Sequence, residues 1–347
     1  MRIAIATDAW LPQTNGVVRT LGETRRCLEE AGHDVLMVTP QDYRTLPLPT
    51  YPEIRLSVFP RRGVFRALDH FRPDSLHVAT EGPIGLSARR YALRRNMPFT
   101  TSYHTQFAHY VRMRVPVPES WCYSALRRFH RPARYTLVPT PGIRDELARQ
   151  GFGDLRLWGR GVDTELFRPD RARALAGNGP LLMYMGRVAV EKNIEAFLEL
   201  DVPGTKYVVG DGPAMADLRR RYPDARFTGA LYGEELAAHV AAADVFVFPS
   251  RTDTFGLVLL EAMACGVPVA AYPVSGPVDV VKDGVTGCLD EDLARAVKGA
   301  VLLDPEACRA HALKRSWEAA TLEFFRNLAF RGAAPGDRLA DATASEA

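Results

Sequence analysis

Two carboxylates stand eight residues apart in the segment SRTDTFGLVLLEAMACGVPV, which covers residues 250–269. Asp253 precedes a predicted helix and so lies at the mouth of its N-terminus, whereas Glu261 lies about two turns further along. The N–H groups of a helix N-terminus suit a phosphate, and an ionised carboxylate accepts two hydrogen bonds from a vicinal diol. A phosphate between two sets of hydroxyl groups describes a nucleotide sugar. The alternative is a surface loop that leads into an ordinary amphipathic helix.

Arg187 and Lys192 lie five residues apart in MGRVAVEKN, which follows the predicted strand PLLMYM. Open α/β sheets bind ligands at the carboxyl ends of their strands. The two cations can therefore converge on a pyrophosphate and neutralise the charge that grows as a sugar leaves it. A solvated, charged helix start is the alternative for an isolated pair of this spacing, but the acidic segment 250–269 favours the phosphate role.

The two carboxylates depend on a strand and a helix that the flanking sequence predicts. The run DVFVF, residues 244–248, has the length and composition of a buried strand and is closed by Pro249. Phe255 and Gly256 then lead into an apolar stretch of helical length, which ends near Gly266. The loop between strand and helix carries the first carboxylate, and the helix carries the second.

The segment 250–269 resembles the donor-site signature of the retaining glycosyltransferases of group 1, whose two Rossmann-like domains form the GT-B fold. That signature has two Glu eight residues apart around Phe-Gly, and here Asp253 takes the first place with a side chain one methylene shorter. The resemblance implies that Asp253 contacts the transferred sugar and that Glu261 contacts the ribose. It also implies that Arg187 and Lys192 hold the diphosphate of the donor.

Three further segments bear on the donor. ARFTGAL, which ends at Leu231, resembles the family segment whose backbone reads the nucleobase, and we expect UDP first and GDP second. The turn VVGDGP, residues 208–213, either lets backbone approach a ligand or makes a tight turn. No GxGxxG opens the first helix, which argues against a dinucleotide oxidoreductase; the resemblance assigns only Gly16 there to the donor phosphate. The donor-binding set implied by the resemblance is Gly16, Leu231, Asp253, Phe255, Gly256, Leu257 and Glu261.

His104 stands just past a predicted strand in TTSYHTQFAHY and therefore at the carboxyl edge of the first sheet. A lone histidine in such a place is more often a hydrogen-bonded core residue. The resemblance implies instead that His104 contacts the donor sugar near the anomeric carbon, where we expect it to orient the transition state and not to act as a nucleophile. Asp8, after the first strand, is either a carboxylate of the site or a cap for the following loop.

The resemblance implies a front-face substitution with retention, in which the leaving diphosphate takes the proton of the acceptor. The paired carboxylates of glycoside hydrolysis are poorly supported, since no carboxylate nucleophile is well placed in the first domain. The charges of Arg187 and Lys192 can replace that of a divalent ion. We therefore predict no metal and no cofactor.

Strand and helix patterns alternate along both halves of the chain, as in parallel α/β sheets. Candidate strands of the first half are RIAIAT, DVLMVTP, IRLSVF, SLHVAT, FTTSYH and YTLVPT. We predict the fold class α/β, with two Rossmann-like doubly wound parallel-sheet domains that face a cleft. Residues 1–165 form the acceptor-side domain and residues 166–315 the nucleotide-sugar donor domain. The amphipathic helix 316–330 should cross back to the first domain, and the small, polar tail 331–347 should be disordered.

Bulk properties fit a protein without a membrane span. The 347-residue chain is 47% hydrophobic, and it has no run of apolar residues long enough to form a spanning helix. Five scattered cysteines indicate a reducing compartment and no zinc site. MRIAIATDAW reads as a first strand and not as a signal peptide. We expect a cytoplasmic protein, peripheral on the inner face of the cell membrane.

Charge is unevenly distributed along the chain. Residues 1–168 contain 25 Arg, no Lys and 16 acidic residues, a net charge of +9, whereas the remainder has a net charge of −6. The stretch 110–134 combines six Arg with Trp121 and other aromatic residues, as membrane-interfacial segments do. An anionic membrane surface, a phosphorylated acceptor and nucleic acid are candidate partners, and an Arg-rich composition without a partner is the alternative. We favour the membrane.

These features together predict a glycosyltransferase that moves a hexose or hexuronic acid from a nucleotide sugar, with a UDP-sugar favoured, to a membrane lipid such as diacylglycerol. The SYHT and RGVDTELF stretches resemble those of lipid glycosyltransferases. A GDP-mannose-dependent α-mannosyltransferase of glycolipid or polysaccharide synthesis is the alternative. A nucleic-acid-binding protein is disfavoured because no recognised motif appears. A sugar-nucleotide epimerase would need acid–base residues around the sugar.

Overall fold

A computed structural model describes residues 1–13, 15–48, 51–105 and 118–331. The chain divides into two compact units. The first unit comprises Met1–Gly159 and the segment from Glu318 onward, and the second comprises Arg160–Trp317. The domain boundaries at residues 165 and 315 stay predictions. The predicted disordered tail lies outside the described residues from position 332 onward.

The first unit is built on a parallel sheet that has six strands within its described part. The strands of this unit are β1 (Arg2–Ala6), β2 (Asp34–Val38), β3 (Thr45–Leu48), β4 (Tyr51–Ser57), β5 (Ser75–Val78), β6 (Phe99–Ser102), β7 (Tyr135–Val138) and β8 (Leu155–Leu157). The parallel sheet has the order β2-β1-β5-β6-β7-β8. One expectation is corrected: IRLSVF overlaps β4, which pairs with β3 in a separate antiparallel hairpin. The connection between β3 and β4 is so short that only antiparallel pairing is possible.

Helices cover both faces of the first sheet. They are α1 (Gly16–Glu30), α2 (Arg61–Phe71), α3 (Pro83–Arg94), α4 (Glu119–His130) and α5 (Pro141–Arg149). Alternate side chains of β1 point to opposite faces. Ile3 and Ile5 pack with α1, whereas Ala4 and Ala6 pack with α2, α3 and, through Phe129, α4. Helix α5 packs beside α4.

The second unit repeats the plan. Its strands are β9 (Leu181–Met185), β10 (Thr205–Val209), β11 (Arg226–Gly229), β12 (Val245–Phe248), β13 (Val269–Ala271) and β14 (Gly287–Leu289). They pair in parallel in the order β11-β10-β9-β12-β13-β14. Its helices are α6 (Ile194–Leu198), α7 (Met215–Arg221), α8 (Gly233–Ala241), α9 (Leu257–Ala264), α10 (Pro277–Val280), α11 (Leu293–Ala300) and α12 (Pro305–Ala312). The two doubly wound parallel sheets confirm the predicted fold class.

The last helix, α13 (Trp317–Arg326), returns to the first unit as predicted. Phe324 is buried in the same cluster as Trp158 and the α1 side of the sheet. The Glu323 carboxylate accepts a hydrogen bond of 2.6 Å from the backbone N–H of Gly159. Within the described part of the chain, no helix is both long and apolar enough to cross a bilayer.

Asp8 is a helix cap. Its carboxylate accepts hydrogen bonds from the backbone N–H groups of Ile84 at 2.8 Å and Gly85 at 3.2 Å, and from the hydroxyl of Thr80 at 2.9 Å. Burial raises the pKa of Asp8, and the two backbone hydrogen bonds act in the opposite direction. The sequence favours Asp8 either as a carboxylate of the site or as a cap for the loop after β1; its carboxylate caps the start of α3 instead, because parallel pairing of β1 with β5 brings α3 beside it.

Helix α12 is tied to the rest of the second unit by Arg309. The Arg309 guanidinium donates to the carbonyl oxygens of Phe167 at 2.6 Å, Ala264 at 2.7 Å and Thr164 at 3.0 Å. Ala264 is the last residue of α9, where carbonyl groups lack helical partners and the helix dipole favours a cation. Arg309 therefore fixes the C-terminal end of the helix that carries Glu261.

We predict that Arg309→Met lowers the free energy of unfolding by at least about 2 kcal/mol, because three partly buried carbonyl oxygens lose hydrogen bonds from a charged group. Urea denaturation measures the change. The matched control is Arg295→Met, which removes an exposed guanidinium paired with Asp290 and should move the midpoint little. Equal losses in the two variants would show that Arg309 is only another surface charge.

Candidate functional site

The candidate site lies at the carboxyl ends of β9 and β12 in the second unit. These strands are parallel neighbours, with Leu182 opposite Val245. The loops that follow them, residues 186–193 and 249–256, therefore leave the sheet side by side at the edge where α/β proteins bind ligands. The first loop carries the predicted cations, and the second carries the first predicted carboxylate.

An ion pair joins the two loops. Lys192 Nζ donates to Asp253 Oδ1 at 2.5 Å, and only about a fifth of either side chain is exposed (20% and 19%). The second carboxylate oxygen, Asp253 Oδ2, is buried and has no hydrogen-bond partner among the described residues. Such an oxygen costs desolvation energy that a ligand hydroxyl would offset. The sequence predicted Lys192 and Asp253 as site residues, but it did not predict that they pair.

Two side chain–backbone hydrogen bonds reinforce this junction. The Asn193 amide donates to the carbonyl oxygen of Pro249 at 3.1 Å, and the Thr252 hydroxyl donates to that of Glu191 at 3.4 Å. Asn193 has φ 53°, in the left-handed region that Asn tolerates better than most residues. The backbone on both sides of Lys192 is therefore held against the neighbouring loop.

The second cation also stands beside a carboxylate. Arg187 Nη1 lies 3.8 Å from Glu191 Oε1, and the Glu191 side chain is only 6% exposed. A carboxylate buried to this degree needs a cation or hydrogen-bond donors close by. The Arg187 carbonyl oxygen also accepts a hydrogen bond of 2.8 Å from the Tyr184 hydroxyl. Two cations and two carboxylates thus stand together at one edge of the sheet.

The turn VVGDGP packs against the loop that carries Arg187. A Cβ atom on Gly210 would lie 1.8 Å from the carbonyl oxygen of Gly186, and one on Gly212 would lie 2.4 Å from that of Val188. Both glycines also have positive φ, 141° and 157°. Their small size is required for backbone packing, which favours the tight-turn interpretation of this sequence over the ligand-approach one.

Helix α9 begins beside the ion pair. Gly256 precedes its first residue with φ 81°, and a Cβ atom there would lie 2.9 Å from the side chain of Leu259. Phe255 is buried in the core of the second unit, and Leu257 packs partly buried against the same core. Gly256 therefore lets the chain turn into the helix, while its two neighbours anchor that turn.

Glu261 is buried inside α9, with 4% of its surface exposed, among apolar helix neighbours. A carboxylate on a buried apolar helix is costly unless it is hydrogen-bonded. Burial, with the Glu261 charge as a second cause, raises the pKa of the Cys265 thiol to about 12. This buried carboxylate lies on the helix that begins directly after the loop carrying Asp253.

The predicted residues fall into two groups. Arg187, Lys192, Asp253, Phe255, Gly256, Leu257 and Glu261 lie along the two loops and α9. Leu231, two residues after β11, packs against the core of the same unit, and its contact with a nucleobase stays a prediction. Gly16 and His104 belong to the first unit.

In the first unit, Gly16 is the first residue of α1. The Asn15 side-chain oxygen accepts hydrogen bonds of 3.0 Å from the N–H groups of Val17 and Val18. This cap already satisfies two of the N–H groups that a phosphate would use. A phosphate here must therefore use the N–H of Gly16 itself or displace the cap.

His104 lies two residues past β6. Its Nε2 atom is 2.8 Å from the hydroxyl oxygen of Ser102, and its ring meets the Trp158 ring edge-on, with centroids 5.5 Å apart. Ser102 is itself buried. The ring is therefore oriented by a hydrogen bond and by aromatic packing.

Sequence reasoning assigned no role to Glu191, Asn193 or Thr252. The first two belong to the EKN stretch that was singled out for its lysine. An Asn between two predicted elements is a turn signal that could have indicated the left-handed residue. A threonine hydroxyl bonded to a distant carbonyl leaves no signal in the sequence.

Comparison with known proteins assigns the chain to a family. The sequence profile of Glycosyltransferase Family 4 matches residues 14–166, and that of Glycosyl transferases group 1 matches residues 179–302. The chain is 33% identical to the sulfoquinovosyl transferase SQD2 of Arabidopsis thaliana, over 85% of this chain and 67% of that protein. The chain belongs to the group 1 glycosyltransferases.

The names of other proteins similar to this glycosyltransferase give different donors or products. It is 32% identical to a GDP-mannose-dependent alpha-mannosyltransferase of Corynebacterium glutamicum, over 83% of this chain and 76% of the relative. It is 27% identical to an alpha-monoglucosyldiacylglycerol synthase of Streptococcus pneumoniae, over 88% and 79%. Sucrose-phosphate synthase from Thermosynechococcus elongatus shares the fold, with a TM-score of 0.74, 23% identity and coverage of 94% of this chain and 97% of the other. The predicted family and GT-B fold are confirmed.

Proposed function

We propose that this glycosyltransferase moves a hexose or hexuronic acid, with retention of configuration, from a nucleotide sugar to a membrane lipid such as diacylglycerol. A UDP-sugar is the favoured donor. The observation that carries the proposal is the cluster at the ends of β9 and β12, where Arg187 and Lys192 stand beside two carboxylates at the entrance to α9. The name of the Streptococcus pneumoniae relative supports the lipid acceptor.

The proposed reaction is a front-face substitution at the anomeric carbon of the donor. The bond from that carbon to the diphosphate oxygen breaks while a bond to the acceptor hydroxyl oxygen forms, and the hydroxyl proton moves to the leaving diphosphate. Arg187 and Lys192 would exchange their carboxylate partners for diphosphate oxygens, so the growing negative charge meets cations that are already in place. His104 is proposed to orient the sugar. The proposal includes no metal and no cofactor.

The carboxylates take the hydroxyl groups of the donor in this proposal. Asp253 Oδ2, which is buried and has no partner among the residues described, would accept from a hydroxyl of the transferred sugar. Glu261, buried in α9, would accept from the ribose. Leu231 and Gly16 are proposed to meet the nucleobase and a donor phosphate through their backbone groups.

The second candidate is a GDP-mannose-dependent α-mannosyltransferase, which the name of the Corynebacterium glutamicum relative favours. One experiment separates the two. The protein is incubated with labelled UDP-glucose, UDP-galactose, UDP-glucuronic acid or GDP-mannose, together with diacylglycerol-containing vesicles. Label entering lipid from a UDP-sugar supports the first candidate, and label entering from GDP-mannose alone supports the second. If no donor transfers label to lipid and none is hydrolysed to free labelled sugar, both candidates are refuted.

We predict that Arg187→Ala and Lys192→Ala each lower turnover by about 100-fold or more, the effect of removing one preorganised charge-stabilising group. Turnover is measured as nucleoside diphosphate release at saturating donor, alongside a melting curve. Arg226→Ala is the matched control, because this exposed arginine lies at the opposite, amino end of a strand in the same sheet. Near-normal turnover in either cluster variant, with normal melting, would remove the diphosphate role.

We predict that Glu261→Gln weakens binding of free UDP by roughly 10-fold or more, whereas Asp253→Asn barely changes it. The loss of one hydrogen bond to a charged group is worth about 1.5–3 kcal/mol, and of the two carboxylates only Glu261 is proposed to contact the nucleotide. Isothermal titration with UDP and with GDP measures both effects. The opposite pattern would mean that the roles of the two carboxylates are reversed.

The acceptor side of the proposal depends on how charge is distributed over the first unit. Helices α2, α3 and α4, on one face of the sheet, have a summed net charge of +6. Helices α1 and α13, on the other face, have a summed net charge of −1. The positive excess of this unit is therefore concentrated on one helical face, which we call the cationic face and define as α2–α4.

The cationic face also exposes large apolar side chains. Phe59, just before α2, is 94% exposed, and Trp121 on α4 is 71% exposed. Leu86 and Leu93 are exposed on α3. Arginine mixed with exposed aromatic and aliphatic residues is typical of surfaces that lie against anionic lipid headgroups. We propose that the cationic face docks on an anionic bilayer.

The interfacial stretch predicted at residues 110–134 is described only from residue 118. Within it, Arg127 donates to the carbonyl oxygen of Gln150 at 2.6 Å and to the Ser124 hydroxyl at 3.0 Å, so it serves internal packing. Arg128 is exposed on the outer side of α4. The test of membrane docking therefore uses exposed arginines, one from each helix of the cationic face.

We predict that replacing Arg66, Arg90 and Arg128 together by Gln weakens binding to phosphatidylglycerol-rich vesicles by roughly 100-fold, since each arginine near an anionic surface contributes about 1 kcal/mol. Vesicle sedimentation measures the binding. Wild-type binding should fall as ionic strength rises from roughly 0.01 M to about 0.15 M, which shortens screening from about 30 Å to about 8 Å.

The control for this test removes three arginines from the other face of the sheet, Arg25, Arg26 and Arg326, and should bind as the wild type does. Equal binding of the wild type to phosphatidylglycerol-rich and pure phosphatidylcholine vesicles would reject the cationic face as a lipid surface. Equal weakening by the two triple variants would show that only total charge matters.

A further inference from the structure

A buried chain of hydrogen bonds leads from the interior of the first sheet to His104. Thr100 Oγ1 lies 2.9 Å from His77 Nδ1, His77 Nε2 lies 3.0 Å from Ser102 Oγ, and Ser102 Oγ lies 2.8 Å from His104 Nε2. The first three of these residues lie on β5 and β6 and are almost fully buried. We call these four residues the hydroxyl–imidazole chain.

The two imidazoles of the chain share one aromatic neighbour. The ring of Trp158 meets His77 at 5.7 Å and His104 at 5.5 Å between centroids, edge-on in both cases. Phe324 of α13 also meets His77 edge-on, at 4.9 Å. His77 therefore contacts two aromatic rings in addition to its two hydrogen bonds, and its ring has little freedom to turn.

The Ser102 hydroxyl couples the two imidazoles. It has a single proton and three neighbours, the Nε2 atoms of His77 and His104 and, at 3.4 Å, the carbonyl oxygen of Ala79. Ser102 can donate to only one of them. At least one of the two imidazoles must therefore carry its proton on Nε2, so the tautomer of one ring constrains that of the other.

We propose that His77 is a positioning residue that acts through Ser102 to fix the ring orientation and tautomer of His104. The inference rests on the proposed function, in which His104 orients the transferred sugar. If the His104 ring already has its orientation and tautomer before the substrate binds, no free energy is needed to order it during the reaction. Loss of the chain should therefore lower kcat and leave the KM for the donor nearly unchanged.

The test combines spectroscopy with a double-mutant cycle. In ¹⁵N-histidine-labelled protein, the ring nitrogen resonances of His104, assigned from a His104→Gln variant, should shift towards a tautomer mixture in Ser102→Ala and in His77→Phe. With the nucleotide sugar that transfers most label in the donor panel, each of these variants should lower kcat by roughly 10-fold. When either substitution is combined with His104→Ala, the kcat of the double variant should lie within roughly 2-fold of that of His104→Ala alone. The effects of residues that act through one group on kcat do not add. Ser102→Thr keeps the hydroxyl and should restore both readouts.

His130, the last residue of α4, supplies a matched control because its ring hydrogen-bonds to β6 of the same sheet. It is also buried, with Nδ1 2.9 Å from Thr101 Oγ1 and Nε2 3.3 Å from Glu81 Oε1, and Thr101 points to the face of β6 opposite Ser102. His130→Phe should lower the melting temperature about as much as His77→Phe does. It should leave the His104 resonances and kcat unchanged, which separates positioning from simple loss of a core hydrogen bond.

Two outcomes overturn the inference and leave the proposed function intact. One is that the His104 resonances are unchanged in Ser102→Ala. The other is that the Ser102→Ala, His104→Ala double variant loses kcat by the product of the two single losses, as independent residues do. A fully active His104→Ala protein would reject the proposed role of His104, and the inference would fall with it. Should His77→Phe not fold, Ser102→Ala alone decides between these outcomes, because it removes only the linking hydroxyl.

Discussion

The ion pair between Lys192 and Asp253 is the contact on which the arrangement of the candidate site depends. Parallel strands β9 and β12 bring two loops side by side but do not fix them to each other. The pair does so across 2.5 Å, with about four fifths of each side chain buried. Because removing one partner would leave a buried charge uncompensated, the two residues constrain each other, and the hydrogen bonds of Asn193 and Thr252 hold the backbone on either side.

The need to compensate a buried charge also applies to the second cation of the site. Arg187 stands beside the buried carboxylate of Glu191, as Lys192 stands beside that of Asp253. In the proposed reaction, a diphosphate would replace one anionic partner of each cation by another. In that proposal the ion pairs keep the cations preorganised for the charge that develops on a leaving group. The shorter side chain of Asp253 suits this arrangement, since one oxygen is held by the lysine while the other stays buried beside it.

What the sequence could predict follows from which interactions are local. The strand DVFVF and the helix that carries Glu261 are continuous apolar runs bounded by Pro and Gly, so their presence and order followed from composition and spacing. The pairing of Lys192 with Asp253, the cap that Asp8 provides for α3, and the link from His77 to His104 each join residues far apart in the chain. They depend on strand order, which a single sequence does not encode locally. The hairpin of β3 and β4 was missed because IRLSVF has the composition of a strand in either kind of sheet.

The arginine content of the first half could be a compositional habit or a functional surface, and composition alone cannot separate the two. The positions of the arginines in the fold bear on the choice. On α1, Arg25 pairs with Glu29 and Arg26 pairs with Glu23 and Glu30, so the charges cancel within the helix. On α3 no acidic residue is present at all, and the acidic residue of α2, Asp69, pairs with Arg95 beyond the end of α3. A habit of composition would leave similar charge on both faces of the sheet, whereas the described helices sum to +6 on one face and −1 on the other. The anionic surface that we propose would therefore meet this unit in one orientation.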